Sequence, residues 1–559
     1  VRSRKAEGLR IDSSTAMLLH GPTPAQRHLA HASAVAPAGL YESHTPRLQR
    51  PREEGRALRE AVVLGASICV VRSRKAARTA SARKAASGTN EAVVVGAGPA
   101  GLASALMLAQ RGWEVKVLER TADPAGYDPG KGFMYLIDGR GQKCLQQLNP
   151  ELFRQLVDSS VGMADAKIGV LTPKGLTERV NPIKDAARKS YWIPRHAFVG
   201  LLLEEARRNE KISLFLQAEI QEIVFEQESF YVRGKCDSDF RVSGNLLVGA
   251  DGYRSAVREK LEQWDGSKGR YAVQKTDSPS AGLRYKVLTL PGNFRLSTPA
   301  GEKDFSSDGF YAIRGVAKTT TKQKLGLIPV RSEFETRTAN LITYADDEVW
   351  DADTLVSFKA YADEQWPHFP LSKLVPEAEL ERFAQNRGGR FPSPQYCHGA
   401  SWLPGFPDAA AVLIGDALHS LPPDIGQGVN SALQDVTVFS ECLDNAGSHG
   451  ISSAAATFQR DRMPDVKALI DIVRVAAPFQ YSQAPWRGRL WNVAFLSRFL
   501  LNKLLPKVFD LPLFLLVQQS ELSYSEIWRK GQRGARRAGL LLVGVAVAGG
   551  TALRILLSG

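Results

Sequence analysis

The sequence predicts an α/β protein: a parallel, Rossmann-like nucleotide-binding sheet, an antiparallel-sheet domain inserted into it, and a helical C-terminal region. Three observations carry this. An apolar strand, Ala92–Val95, runs straight into Gly96-Ala-Gly98-Pro-Ala-Gly101 and then into a helical pattern. Short apolar runs return at Leu246–Ala250 and Ala409–Ile414, and end on Asp251-Gly252 and Gly415-Asp416. Between Gly282 and Tyr344 apolar and polar residues alternate, as they do in half-exposed antiparallel strands.

The glycine motif sets the first element. Gly96 permits a tight turn, Gly98 lets a pyrophosphate approach the backbone, and Gly101 lets the helix pack closely on the strand. The helix Leu102–Arg111 then points its free N–H groups at the phosphates. A second strand, Trp113–Leu118, ends on Glu119, about 20 residues on, where a carboxylate can accept from a ribose. Strand, glycines, helix, strand and acid stand in the order that dinucleotide binding requires.

The next elements follow from periodicity. Phe133–Ile137 and Gly141–Leu148 read as a strand turning into a helix. Arg195–Arg208 places Phe198, Leu201, Leu202 and Ala206 at helical spacing. Ile212–Leu216, Ile220–Glu226, Phe230–Gly234 and Leu246–Ala250 read as strands. The alternating strands are Gly282–Leu290, Gly309–Gly315, Lys324–Pro329 and Ala339–Tyr344, with helices Leu355–Glu364 and Lys373–Ala384 among them. After Ala409–Ile414 comes Gly415-Asp416, then Pro423-Asp424-Ile425-Gly426-Gln427-Gly428-Val-Asn430 and a helix through Asp435. The expected divisions are a basic leader at 1–88, nucleotide-binding parts at 89–275 and 396–450, a substrate sheet domain at 276–395, a helical region at 451–528, and a basic patch with a candidate membrane anchor at 529–559.

Charge is concentrated at the ends. Residues 1–90 hold 16 Lys/Arg and 6 Asp/Glu, so about +10 of the net +14 precedes the first strand. The rest is only mildly basic, which argues against a nucleic-acid partner. The stretch 71–87 is basic, hydroxylated and free of acids, the composition of an organelle transit peptide for chloroplast or mitochondrion. The five cysteines are scattered, with no metal spacing and no disulfide framework. At the other end, five cations between Arg529 and Arg537 precede Ala538–Leu553, which carries no charge. Such a run is about 24 Å long as a helix, against a hydrocarbon core of ~30 Å, and is expected to anchor the chain in an anionic membrane.

Together, Gly96–Gly101, Gly249-Ala-Asp251-Gly252 and Gly415-Asp416 with Gly426-Gln-Gly428 resemble the single-component flavin-dependent aromatic hydroxylases, the fold of para-hydroxybenzoate hydroxylase. The resemblance covers roughly residues 91–440. Lys131-Gly-Phe-Met-Tyr135-Leu-Ile-Asp-Gly-Arg140-Gly, the helix start at Arg195 and the apolar C-terminus look most like the kynurenine 3-monooxygenases. The resemblance implies FAD as cofactor, NAD(P)H as co-substrate without a second Rossmann motif, and O₂ activated as a flavin C4a hydroperoxide that attacks an aromatic ring.

Residue by residue, the resemblance implies that Gly96, Gly98 and Gly101 cradle the pyrophosphate. Glu119, with Arg120 beside it, holds the adenosine ribose. Arg195 lies near the FAD phosphates. Asp251 and Gly252 belong to a motif linked to both FAD and NAD(P)H, and Asp416 holds the ribityl or pyrophosphate part. Pro423 to Gly428, including Gly426 and Gln427, and on to Asn430, lies by the isoalloxazine. Tyr135 and Arg140 are candidate substrate contacts, and Asp424 with Pro423 is the candidate catalytic pair. Asp424 reads either as a base or orienting group, or as a plain N-cap of the following helix. His419 reads as structural.

The substrate end departs from the pattern. An Arg that grips the kynurenine carboxylate is expected after Met163, yet the run is Met163-Ala164-Asp165-Ala166-Lys167. Asp424-Ile425 replaces an aromatic pair. The run therefore predicts poor retention of kynurenine, with Lys167 as the one alternative grip. The competing readings are a membrane-associated hydroxylase or epoxidase of a quinone or isoprenoid, a prenyl-chain reductase, and a non-catalytic flavin-binding protein.

Overall fold

The computed structural model describes residues 90–559 apart from 129–131, 165, 180–188, 299–300, 317–323, 480, 482–483 and 559. The expected basic leader and transit peptide fall outside the described residues.

Four strands organise the molecule: β1 (Glu91–Val95), β2 (Glu114–Leu118), β3 (Leu246–Gly249) and β4 (Ala410–Leu413). They form one six-stranded sheet in the order Ser401–Trp402, β4, β3, β1, β2, Ile212–Phe215. All pairings but that of Ser401–Trp402 are parallel. Val95 stands beside both Gly249 and Leu118, and Gly249 beside Leu413. Strands drawn from positions 91 to 413 therefore end on one edge, and the motifs that follow them meet there. Open parallel sheets bind ligands at this carboxyl edge.

The strands read as unbroken apolar runs because both faces are buried. Ala92, Val93, Val94, Leu246, Leu247, Val248 and Ala410 to Leu413 are all fully covered. Helix α1 (Pro99–Gln110) is buried on nearly every side, packed against Arg195–Arg208 and α3 (Gly428–Ala446). Its small residues, Ala100, Gly101, Ala103, Ser104 and Ala105, permit that crowding. Between these lies α2 (Gly139–Leu148), which follows the strand Met134–Ile137.

A second sheet of seven strands has Arg284–Pro291, Thr336–Thr343, Lys324–Leu327 and Gly309–Arg314 at its centre. It is antiparallel except where Gly309–Arg314 meets Lys167–Thr172. The sheet thus takes strands from before residue 276 as well as from the inserted stretch. One face packs Leu288, Leu290, Leu341 and Ala339 against Phe358, Trp366 and Phe383 of the covering helices. The expected helix Lys373–Ala384 is two, Leu371–Leu374 and Glu377–Gln385, because Pro376 has no N–H to continue the ladder.

The C-terminal region is helical: α4 (Gly450–Ala476), α5 (Pro485–Leu504), Leu513–Val517 and α6 (Tyr524–Ser558). The apolar stretch Ala494–Val517 divides in two. Leu513, Leu516 and Val517 are buried with Tyr524 and Ile527, whereas α5 leaves Trp486, Leu490, Val493, Leu496 and Leu500 exposed. Residues 529–537 and 538–553 lie on one continuous 35-residue helix. Among the described residues no helix is long and apolar enough to cross a membrane. The expected spanning anchor therefore lacks support: its charge-free run is a few ångströms short of the hydrocarbon thickness, and cations continue the same helix.

Candidate active site

The first turn is closed by its own backbone. Gly96 lies at φ +103°, donates to the Leu118 carbonyl at 2.8 Å, and has no room for a Cβ against the Ala250 carbonyl. A Cβ on Gly101 would collide with the Gly96 carbonyl oxygen, so this glycine sets the close approach of α1 to β1. Gly98 is different. Its backbone is ordinary extended chain, φ −74°, and nothing lies within 4 Å of the position its Cβ would take. The open space sits at the N-terminus of a 12-residue helix, where an anion is favoured. Glu119 reaches under the turn: one oxygen accepts from Ala97 N–H at 2.8 Å, the other from the Thr121 N–H and hydroxyl, each at 2.9 Å. Arg120 beside it is exposed.

The second motif follows β3. Asp251 accepts from the N–H groups of Ala256 and Val257, at 2.7 and 3.2 Å, at the start of helix Ala256–Trp264. Burial pushes its carboxyl upward, against its hydrogen bonds from Ser255 and these amides. Gly252, at φ +84°, turns the chain away.

The third motif follows β4 and rests on a buried charge cluster. Asp435 of α3 accepts from the Gly415 N–H at 2.8 Å, pairs with His419 Nε2 at 2.9 Å, and accepts from Arg462 Nε at 2.6 Å. Burial alone would raise the Asp435 carboxyl. The His419 and Arg462 charges, with the hydrogen bonds, outweigh it and hold the carboxyl below its ordinary range. His419 is thus part of a brace, as the sequence suggests. Next to the brace, Asp416 keeps an exposed surface although protein is dense around it. Burial raises its carboxyl, the nearby His419 opposes this, and Asp435 reinforces it.

Tyr135 stands beside Asp416. Burial pushes its phenol up to about 12, against the charge and hydrogen bond of Arg195, and Asp416 adds to the rise. Tyr135, Arg195 and Asp416 therefore form one cluster. Tyr135, expected to touch substrate, stands beside the expected cofactor residues Arg195 and Asp416. Open space at Gly98 and the carboxylate of Asp416 at one edge of the first sheet, with Arg195 and Tyr135 of a neighbouring small sheet beside Asp416, fit an extended dinucleotide.

The loop after Pro422 completes the site. Pro423–Ile425 is a single 3₁₀ turn, and Gly426 at φ +65° reverses it into α3. Asp424 does not cap α3: the cap position is Gln427, whose side chain caps nothing. Asp424 is instead buried, and accepts from the hydroxyl of Ser280, itself fully buried on the loop before Arg284. Its charge, second to burial, raises the Tyr481 phenol. Gln427 and Asn430 spend their side chains on protein. Gln427 donates to Asp138 at 3.0 Å and accepts from Tyr524. Asn430 donates to the Leu136 and Gly426 carbonyls at 2.7 and 2.9 Å. They shape the loop, leaving its backbone to face a ligand.

Two substrate expectations are corrected. Arg140 is nearly inaccessible. Its guanidinium donates to Asp138 at 3.2 Å and to the carbonyls of Val517, Gln519 and Leu522, each at 3.0 Å. It is a clamp on the C-terminal segment and not a substrate ligand. Lys167 points outward, its ammonium 3.5 Å from the Ser306 hydroxyl and 3.8 Å from Asp308, so it supplies no buried grip for a carboxylate. Ser280, Asp435, Arg462 and Tyr524 escaped the sequence reading. Each acts over a long separation in sequence, and no local pattern marks such a residue.

Residues 89–279 and 408–473 match the FAD binding domain family. The two stretches flank the inserted part of the second sheet, and together contain all three strand-end motifs. The chain is an FAD-dependent monooxygenase. It is 27% identical over 494 residues to a kynurenine 3-monooxygenase of Salinispora arenicola, covering 83% of this chain and 96% of that one. It is 26% identical to that of Cryptococcus neoformans, over 68% of this chain and 76% of the relative. Pseudomonas aeruginosa PqsL in complex with 2-aminobenzoylacetate shares the fold, with a TM-score of 0.52, 18% identity, and coverage of 73% of this chain and all of that one. A 2-methyl-3-hydroxypyridine-5-carboxylic acid oxygenase does so with a TM-score of 0.51 and 16% identity, over 72% of this chain and 92% of that one. These likenesses do not favour the quinone, isoprenoid or prenyl-reductase readings.

Proposed function

We propose that this monooxygenase uses NAD(P)H and O₂ to hydroxylate an electron-rich aromatic ring that carries a hydroxyl or amino group and is not held by an amino-acid carboxylate. The observation that carries this reading is a buried acceptor, Asp424, on the loop expected beside the flavin. When bound, FAD supplies the oxygen chemistry. Gly98 leaves room for its pyrophosphate, Glu119 and Arg120 stand at the ribose end, Asp251 and Gly252 close the turn between, and Arg195, Tyr135 and Asp416 form one cluster beside it. Ser280 orients Asp424, which accepts a hydrogen bond from the substrate's donor group and holds its proton. Pro423 stiffens the loop. The lack of an Arg after Met163 and the outward course of Lys167 support poor retention of an amino-acid carboxylate.

The reading extends to a membrane surface. Helix α5 exposes Trp486, Leu490, Val493 and Leu496, and α6 exposes Leu540 to Val543 beyond the cations at 529–537. This supports a helix pair lying on an anionic bilayer. The basic stretch 71–87 supports delivery to an organelle.

Purified protein is tested for NAD(P)H oxidation and O₂ uptake with anilines, phenols and L-kynurenine. A neutral aromatic donor is turned over faster than L-kynurenine. A lost charged hydrogen bond costs about 1.5–3 kcal/mol, roughly tenfold to hundredfold in kcat/KM. A micromolar KM for L-kynurenine with tightly coupled hydroxylation overturns the substrate assignment. Reduction of substrate without O₂ uptake overturns the monooxygenase reading.

A further inference from the structure

We propose that Tyr524, on the C-terminal helix α6, is a positioning residue for the flavin loop and acts through Gln427. The inference rests on the reading that Gly426–Gly428 lies against the flavin.

The geometry is a closed circuit of buried groups. The Tyr524 hydroxyl donates to Gln427 Oε1 at 2.6 Å, and Gln427 Nε2 donates to Asp138 Oδ2 at 3.0 Å. Asp138 also takes Arg140 Nη1 at 3.2 Å and caps α2 by accepting from the Arg140 N–H at 2.9 Å. Arg140 returns to the C-terminal segment through the carbonyls of Val517, Gln519 and Leu522, and its guanidinium lies 4.5 Å from the centre of the Tyr524 ring. Tyr524 is fully buried, and Gln427 and Asp138 are each 2% exposed.

Gln427 has three side-chain torsions and immediately precedes α3. Two partners from different parts of the chain fix its amide: Asp138 takes the donor end and Tyr524 satisfies the acceptor end. Burial pushes the Tyr524 phenol up, so its hydroxyl remains a donor through the physiological range. Remove that hydroxyl and Oε1 is a buried acceptor without its donor. The amide is then held at its donor end alone, by Asp138, and the segment from Gly426 to Gly428 loses one of the side-chain bonds that fix it. The remaining contacts of α6 are independent of the hydroxyl: Ser525 N–H to Asp465 at 2.9 Å, and Ile527 in the core. Loop position and helix docking are therefore separable.

The test is Tyr524→Phe in the full-length holoprotein. Three quantities are read: FAD dissociation by fluorescence titration, the visible absorption bands of the bound flavin, and thermal unfolding. Expected are FAD binding about tenfold weaker and displaced flavin bands in a protein that still folds cooperatively, with a modest drop in unfolding midpoint because the unpaired acceptor also burdens the flavin-free fold. Unchanged FAD affinity and spectrum in a folded Tyr524→Phe overturns the proposal. Should that variant not fold, the wild type decides. Coupling is reciprocal, so FAD must slow backbone hydrogen exchange at residues 522–528 relative to the flavin-free protein. Exchange there that is indifferent to FAD overturns the proposal equally. Failure of the wild type to bind FAD at all is a different outcome, and refutes the placement of the loop instead.

Discussion

Two glycines three residues apart separate cofactor binding from folding. A side chain at Gly98 meets nothing within 4 Å, and the backbone there, φ −74° and ψ 179°, suits any residue. Gly98→Val should therefore fold with stability within about 0.5 kcal/mol of the parent. The space it fills is the space a pyrophosphate needs at the start of α1. Displacing the phosphates from two N–H groups forfeits two charge-assisted bonds at about 1.5–3 kcal/mol each, a loss of roughly a hundredfold to ten-thousandfold in FAD affinity. Gly101→Ala should do the reverse. Its methyl collides with the Gly96 carbonyl, and α1 must move off β1, costing about 1–3 kcal/mol of stability before any cofactor is added. The assay is FAD fluorescence titration of each flavin-free variant, with urea unfolding alongside. A Gly98→Val protein that keeps full FAD occupancy refutes the dinucleotide assignment. One that fails to fold refutes the claim that the space is open.

Other perturbations test the supports. Arg462→Met leaves Asp435 as a buried carboxylate short of its cation, and should lower unfolding stability by about 3–5 kcal/mol in urea titration. Lys286 is buried under Trp350 and Phe383, donating to the Ala384 carbonyl at 2.9 Å. Burial first, then the charge of Arg284, brings its ammonium down to about 8. Between pH 8 and the unfolded value near 10.4 the unfolded chain binds the extra proton, so this group makes stability rise with pH across that window. Lys286→Met should raise stability at pH 7 by up to about 3 kcal/mol and remove that rise, as urea unfolding at pH 7, 8.5 and 10 will show. Removing residues 538–559 should reduce sedimentation with anionic vesicles while FAD stays bound, since the buried contacts of α6 lie at Tyr524 and Ile527. Equal sedimentation moves the membrane contact to α5.

The fold was legible where periodicity and glycine carry it. Ala92–Val95, Arg195–Arg208 and Leu246–Ala250 stand where their patterns put them, because the two strands are buried on both faces and the helix repeats Phe198, Leu202 and Ala206 along one buried face. The sequence could not say that Lys167–Thr172 would join the second sheet. Strand pairing across more than a hundred residues leaves no local trace, and the parallel partner at Gly309–Arg314 has an ordinary alternating pattern. The break at Pro376 was readable and outweighs the helical periodicity around it. The C-terminal helix misled for a physical reason. A charge-free stretch of sixteen residues looks like a span, yet only its continuity with 529–537 in one helix shows where the apolar surface ends.

The site shows a sharper limit. A pattern such as Gly-Gln-Gly-x-Asn invites the reading that its polar side chains touch the ligand. Here both are turned inward. Asn430 binds the carbonyls of Leu136 and Gly426 and accepts from Asp138 N–H at 2.9 Å, and Gln427 is held between Asp138 and Tyr524. The reason is energetic. A loop that presents its backbone to a cofactor exposes N–H and C=O groups that cannot be tied down by its own secondary structure, so buried side chains must fix it from behind. Arg140 follows the same logic at the other end of the network, and the carboxylate of Asp435 beneath Gly415 repeats it. Residue type in such a motif therefore reports how the loop is braced. On the proposed function, what the loop offers a substrate is carried by Asp424, which with Ile425 departs from the family pattern and whose partner Ser280 comes from the neighbouring sheet domain. Cofactor affinity and substrate choice would then be governed from opposite sides of one short loop, and variants on the two sides should separate them.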